Sequence, residues 1–182
     1  MTGYSAEATI GDRIKAARRA RGFRTTRDLA DAMPGSKITE HVLENIEAGR
    51  KSDLPVSALL SIAKALRVPP TLLLSPLTHP SRSVDLPNVS SDIASMNVAE
   101  FDAWLAGDPD GAYRSSDPAE RSDLVELDAF RELQQLRREL HRETAIASAD
   151  ASPTSAARLT YLETQTRELT NFLTKAGWIL DH

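Results

Sequence analysis

Residues 40–45 gather four side chains able to do chemistry: Glu40, His41, Glu44 and Asn45. In a helix, positions 41 and 45 lie one turn apart, as do 40 and 44, so all four share one side. Two carboxylates at that spacing can in principle exchange protons. A short convex helix offers no cleft for such work, and the rest of the chain supplies no second catalytic element. The other histidines are His79, His141 and His182; none makes a pair at metal-ligand spacing, and His141 sits between Arg138 and Arg142 on a charged stretch. There is no cysteine, which removes thiolate nucleophiles, disulfides and zinc–cysteine sites together. No glycine loop of the phosphate-cradling kind occurs, and no serine has nucleophile-elbow surroundings. The chain is therefore expected not to be an enzyme, to hold no metal and to need no cofactor. The set instead supplies a row of hydrogen-bond donors and acceptors of mixed type.

The elements that must position this row are short helices with clear punctuation. The first runs from Ile10 to about Arg21, with Ile10, Ile14 and Ala17 at helical spacing and Gly22 as its stop. Thr25-Thr26-Arg27-Asp28 reads as a capping box for a second helix, Thr26 to about Met33, with Leu29 and Ala30 inward. Pro34-Gly35-Ser36 ends it. Ile38-Thr39 opens a third helix, Glu40 to Ala48, which buries Leu43 and Ile46 and stops at Gly49. A fourth begins near Pro55, at its first helical position, and carries Leu59, Leu60, Ile62, Ala63 and Leu66. Pro69-Pro70 breaks it, and Thr71 to Leu74 adds a last short turn. Five helices over residues 1–77, with no strand, make a compact all-α domain.

Taken in order, five pieces resemble one family. They are Ile10-Gly11-Asp12-Arg13-Ile14, Arg18-Arg19-Ala20-Arg21-Gly22, Asp28-Leu29-Ala30, Asn45-Ile46-Glu47-Ala48-Gly49-Arg50 and Leu60-Ser61-Ile62-Ala63-Lys64-Ala65-Leu66. Residues 10–77 thereby resemble the lambda-repressor-like, or Xre-type, helix-turn-helix regulators of bacteria and phages. The resemblance implies that the second and third helices form the motif and that the third enters the major groove of DNA. On that reading Glu40, His41, Glu44 and Asn45 face the bases: Asn45 suits adenine, His41 a guanine edge and Glu40 a cytosine amine. Thr39 and the amides at the helix start would hold a phosphate. Arg24, Thr26, Lys37, Arg50 and Lys51 would contact the backbone without reading sequence, although any one of these cations can equally be a solvated surface charge. By their places in the pattern, Arg18 and Glu47 look like a partly buried ion pair joining the first and third helices, a structural role. Three features depart from the family pattern. The segment Met33 to Ile38 is longer than the usual tight turn, one residue is inserted near Arg24, and Glu40 and Glu44 put carboxylates where phosphates repel them.

Beyond residue 77 the composition changes. Pro, Ser, Asp and Asn between Thr78 and Ser91 read as part of a linker over 78–116, with a short amphipathic helix near 97–106 capped by Asn97 and carrying Phe101, Trp104 and Leu105. Residues 117–182 read as an antiparallel two-helix hairpin or coiled coil. Asp117-Pro118-Ala119-Glu120 starts a helix to about Ala147 along Leu124, Leu127, Phe130, Leu133, Leu136 and Leu140, and Ser148 to Thr154 breaks it. The second helix presents Leu159, Leu162, Thr166, Leu169, Leu173, Ala176 and Leu180 in alternating steps of three and four. That seam must meet the preceding helix, another subunit, or both.

The formal net charge of −4 is unevenly placed: residues 1–80 hold 12 Lys and Arg against 8 Asp and Glu, residues 81–182 hold 10 against 18. Only the front half is drawn to a polyanion. The expected partners are double-stranded DNA and a second copy of the chain through residues 119–182, because two half-sites raise affinity and selectivity. Repression is the family-level expectation. The rival reading is an antitoxin-like or adaptor protein whose acidic C-terminal region binds a protein partner, with Phe101, Trp104 and Trp178 as anchors unless they pack inside. No secretory signal is read at the N-terminus, and no apolar run approaches the roughly 20 residues of a membrane-spanning helix. A cytoplasmic, nucleoid-associated protein with no membrane partner is the expectation.

Overall fold

A computed structural model describes residues 3, 9–51, 53–149 and 153–180. Among the described residues the chain is helical throughout: α1 (Ile10–Ala20), α2 (Thr26–Asp31), α3 (Glu40–Glu47), α4 (Val56–Leu66), α5 (Thr71–Leu74), α6 (Ser91–Ala94), α7 (Val98–Ala106), α8 (Pro118–Ala149) and α9 (Pro153–Lys175). They include no strand; one antiparallel bridge joins Ser83 to Asn97. The chain divides into two units, Met1–Ala106 with Gly111–Tyr113, and Gly107–Asp110 with Arg114–His182.

The first unit is organised by one apolar core. Ile14, Ala17, Leu29, Leu43, Ile46, Ile62, Leu66 and Leu73 from α1 to α5 are all but inaccessible to water, and burial of each large aliphatic side chain contributes about 1.5–3 kcal/mol. Helices α1 and α3 pack closely because position 11 is glycine: a Cβ there would collide with the carbonyl oxygen of Ile46. The helix ends follow local chemistry. Thr9 caps α1 by accepting from the Asp12 amide at 3.1 Å. Gly22, at φ +86°, closes α1 by letting the Phe23 amide turn back to the Arg18 carbonyl. Thr25 and Asp28 form the capping box at the start of α2. Pro55 lies one position earlier than its sequence suggests, as the cap of α4 rather than its first residue.

Residues 78–106 differ from the linker expected of them. Val84, Val98 and Phe101 are buried, and Leu86 packs against the first unit's core. The Val84 amide donates to the Met96 carbonyl and the Val98 amide to that of Arg82. Asn97 and Glu100 make a reciprocal cap at the start of α7. The tie that explains the difference is an arginine. Arg13, on the buried side of α1 with no accessible surface, donates to the carbonyls of Leu73 and Leu74 and, through both terminal nitrogens, to the Asp85 carboxylate at 2.9 and 3.0 Å. The turn-forming composition of 78–91 thus serves a packed strap.

In the second unit α8 and α9 form an antiparallel hairpin. Trp178, beyond the end of α9, stacks on Phe130 with ring centroids 5.2 Å apart and donates its indole N–H to Glu126 at 2.8 Å. At the other end Arg158 pairs with Glu139. Ala129, Leu133, Leu162 and Leu173 are the buried residues of the seam, whereas Ala176 is exposed because α9 has already ended at Lys175. Helix α8 continues through Ser148, beyond the break expected there. Of the three aromatic anchors, Phe101 is buried and Trp104 and Trp178 are half-buried, each against its own unit.

Replacing Asp85 with alanine takes from the buried Arg13 guanidinium the carboxylate to which both its terminal nitrogens donate. Loss of one partner of a buried pair costs about 3–5 kcal/mol, and the 20% exposure of Asp85 puts this case at the lower end. Denaturant unfolding of Asp85→Ala is expected to show a loss of about 3 kcal/mol; a change within about 0.5 kcal/mol, the usual range for a surface substitution, would mean that the strap is not held by this pair.

Candidate nucleic-acid interface

Helix α3 is eight residues long and two-faced. Thr39 caps it, its hydroxyl accepting from the Val42 amide at 3.3 Å. Leu43 and Ile46 are turned fully inward, while Glu40, His41 and Glu44 are exposed and Asn45 is half-buried. The four polar residues singled out in the sequence therefore do lie together on the outer side.

They are also linked. The Arg50 Nε donates to the Asn45 Oδ1 at 2.7 Å, and the Asn45 amide nitrogen lies 3.1 Å from His41 Nε2. With that amide donating, the imidazole proton is assigned to Nδ1, the nitrogen 3.7 Å from a Glu44 oxygen. Arg50, expected as an independent backbone contact, thus fixes which way the Asn45 amide points. Glu40 lies in the first turn of α3, where a carboxylate is favoured by the helix dipole.

The cations flank this side. Arg24 and Thr26 stand at the start of α2, and their place near the end of α3 is set by Arg18. Its Nη1 donates to the Phe23 and Arg24 carbonyls at 2.9 and 2.8 Å, and its other donors take both oxygens of Glu47, at 2.6 and 2.9 Å. Lys37 precedes the start of α3. A groove of about 460 Å³ along the Ile38, Val42 and Ile46 edge of α3 has Lys37 and Lys51 in its lining. Arg24, Lys37, Thr39, Arg50 and Lys51 are exposed, and Thr26 is half-buried.

Arg18 and Glu47 are of another kind, with side chains only 5% and 7% accessible. The hydrogen bond and charge of Glu47 push the Arg18 pKa upward against the opposing effect of burial. Asp28, by contrast, is held below the usual carboxylate range, chiefly by the backbone amide of Thr25 and then by its hydroxyl, with a smaller pull from Arg18.

Two features escaped the sequence. Arg13 lay in plain view on the apolar stripe of α1, three residues after Ile10 and four before Ala17, a placement that signals a buried cation in need of an acid. Arg21, Lys64 and Arg67 gather around a second groove beside α4; Lys64 and Arg67 are neighbours at helical spacing, but Arg21 lies 46 positions before Arg67, and no spacing rule connects it to them. No family model matches this chain, and no match is found among curated proteins or solved structures.

Glu47→Ala strands a buried guanidinium, and a loss on the order of 3–5 kcal/mol is expected; calorimetry should find the first unit unfolded or melting far lower. A variant that melts normally would refute the structural role. The Asp28 cap carries a pH signature. Its folded pKa lies below the unfolded value of about 3.9, so its stabilisation is complete above that pH and disappears as pH falls through the folded value. NMR titration should place the Asp28 midpoint below 3.9, and Asp28→Asn should flatten that limb of the stability curve; a midpoint at or above 3.9 would contradict the cap.

Proposed function

We propose that this chain is a sequence-specific DNA-binding transcriptional regulator whose first unit is a lambda-repressor-like helix-turn-helix domain, with α2 and α3 as the motif. The observation that carries the reading is the two-sidedness of α3. Its apolar side is locked into the core, and its outer side presents Glu40, His41, Glu44 and Asn45 between cations at both ends. A major groove about 12 Å wide admits one such helix and displays a distinct donor and acceptor pattern for each base pair. Asn45 reads adenine, with Arg50 orienting its amide before DNA arrives. His41 reads a guanine edge, and Glu40 selects a cytosine amine. Glu44, drawn toward His41, lies off the groove floor. Arg24, Thr26, Lys37, Thr39 and Lys51 fix the register through phosphates.

The regulator acts as a homodimer, repressing by occupying its operator. The second unit exposes Val125, Ile146, Tyr161, Phe172 and Ile179, apolar side chains that a second copy would cover. That surface supports association through α8 and α9.

On a duplex isolated from a random pool, Asn45→Ala should relax preference at one base pair at a cost of about 1–3 kcal/mol. Arg50 holds Asn45 through Nε alone and meets a phosphate with its other guanidinium donors, so Arg50→Ala should weaken binding to every sequence and lower the salt slope by about one. Because Arg50 holds the Asn45 oxygen, the double variant should lose less than the sum of the two. Light scattering of the wild-type complex should give two chains per duplex. Equal affinity for isolated and scrambled duplexes, in wild type and variants alike, would refute the reading.

A further inference from the structure

The long segment between α2 and α3, which departs from the family pattern, builds something. Pro34, Ser36 and Lys37 form one wall of a channel whose other wall is α4. One stretch, of about 730 Å³, is lined by Arg21, Phe23, Met33, Lys64, Leu66 and Arg67 among others. The next, of about 460 Å³, runs past Ile38, Val42, Leu54 and Ala58 to Lys51. Ser36 and Ser61 line both, so the two stretches adjoin. Gly35, at φ +79°, lets the wall turn back on itself.

The lining has one sign of charge. Arg21, Lys37, Lys51, Lys64 and Arg67 contribute five cations, and no carboxylate lines either stretch among the described residues. None of the five takes part in a salt bridge among the described residues. Arg67 is held at the channel's edge in a left-handed conformation, φ +54°, which a non-glycine residue adopts with difficulty. Beneath the cations the accessible apolar surface is that of the half-buried Phe23 and Ala65 in the first stretch and of Val42, Leu54 and Ala58 in the second.

We propose that this channel is a docking site for an acidic amphipathic peptide segment of a partner protein, bound as a helix. Such a segment lays large apolar side chains at i, i+3 and i+4 on the floor and leaves carboxylates to meet the cations at the rim. A phosphate backbone matches the rim but leaves the apolar floor against charged oxygens, and so fits less well. The proposal extends the function beyond DNA contact and does not depend on it, since α4 and the segment before α3 build the channel whatever α3 reads. Lys37 and Lys51 are shared between channel and phosphate contacts, so a docked segment and DNA compete.

The test is display selection of random 15-residue peptides on the full-length protein, followed by affinity measurement and amide chemical shifts. The enriched peptides should be net acidic with large apolar residues at helical spacing. They should bind Lys64→Glu/Arg67→Glu at least tenfold more weakly, and they should shift the amides of Ser36, Ser61 and Ala65. Both substituted residues are exposed, so an unchanged melting curve is the control; if the double variant melts early, Lys64→Glu alone should still weaken binding at least threefold. Failure to enrich, enrichment without acidic bias, or undiminished binding to the variants would overturn the proposal. So would peptide shifts confined to His41 and Asn45, or duplex DNA alone shifting Ser61 and Ala65, beside α4 and away from Lys37, as strongly as the peptide does. The selection and the shifts use no DNA apart from that last control, so the fate of the α3 reading is decided separately.

Discussion

The geometry of the first unit depends on how α3 is fastened, and the Arg18–Glu47 pair is the fastening. One guanidinium satisfies both oxygens of a carboxylate at the end of α3 and two carbonyls of the turn before α2. It therefore sets the start of one helix against the end of the other. A buried pair of this kind adds less to stability than its contacts suggest, because both charges must leave water. Its value is in orientation. With Gly11 admitting the Ile46 carbonyl at close range and Leu43 and Ile46 buried, α3 can turn only one side outward.

That outward side is electrostatically mixed, and the mixture bears on its use. Glu40 and Glu44 oppose the approach of phosphates, while Arg24, Lys37, Arg50 and Lys51 favour it. In the proposed DNA-binding role, that balance would make nonspecific attraction weaker than a uniformly basic helix gives and leave more of the binding free energy to base contacts. The His41–Asn45–Arg50 chain acts in the same direction. An exposed hydrogen bond of this sort contributes little to folding; in the proposed role it would reduce the number of amide orientations to be selected on binding and so favour affinity through preorganisation.

The helices of the first unit were legible because their signals are local. Thr9, Thr25 and Thr39 each precede an apolar period, and Gly22 and Gly49 each follow one; caps and stops act within a turn of the residues that carry them. The pairing of Arg18 with Glu47 came from the family pattern and not from spacing. What escaped was set by tertiary contact. Asp85 sits among proline, serine and asparagine, and nothing within its neighbourhood announces that a buried arginine 72 positions earlier claims it. Ala176 fits the heptad arithmetic of α9 but falls after Lys175, where Gly177 at φ +95° turns the chain and brings Trp178 onto Phe130. A period of three and four cannot reveal where a helix stops.

The central claim is that the polar side of α3 enters the major groove of particular DNA sequences. Selection from a random duplex pool at low salt, repeated with 7-deazapurines in the recovered site, tests it most directly. The account predicts a recovered site with two related half-sites about 34 Å apart. It also predicts a loss of about 1–3 kcal/mol when the purine facing Asn45 or His41 lacks its N7. Recovery of no preferred sequence, or a site indifferent to every N7, would contradict it.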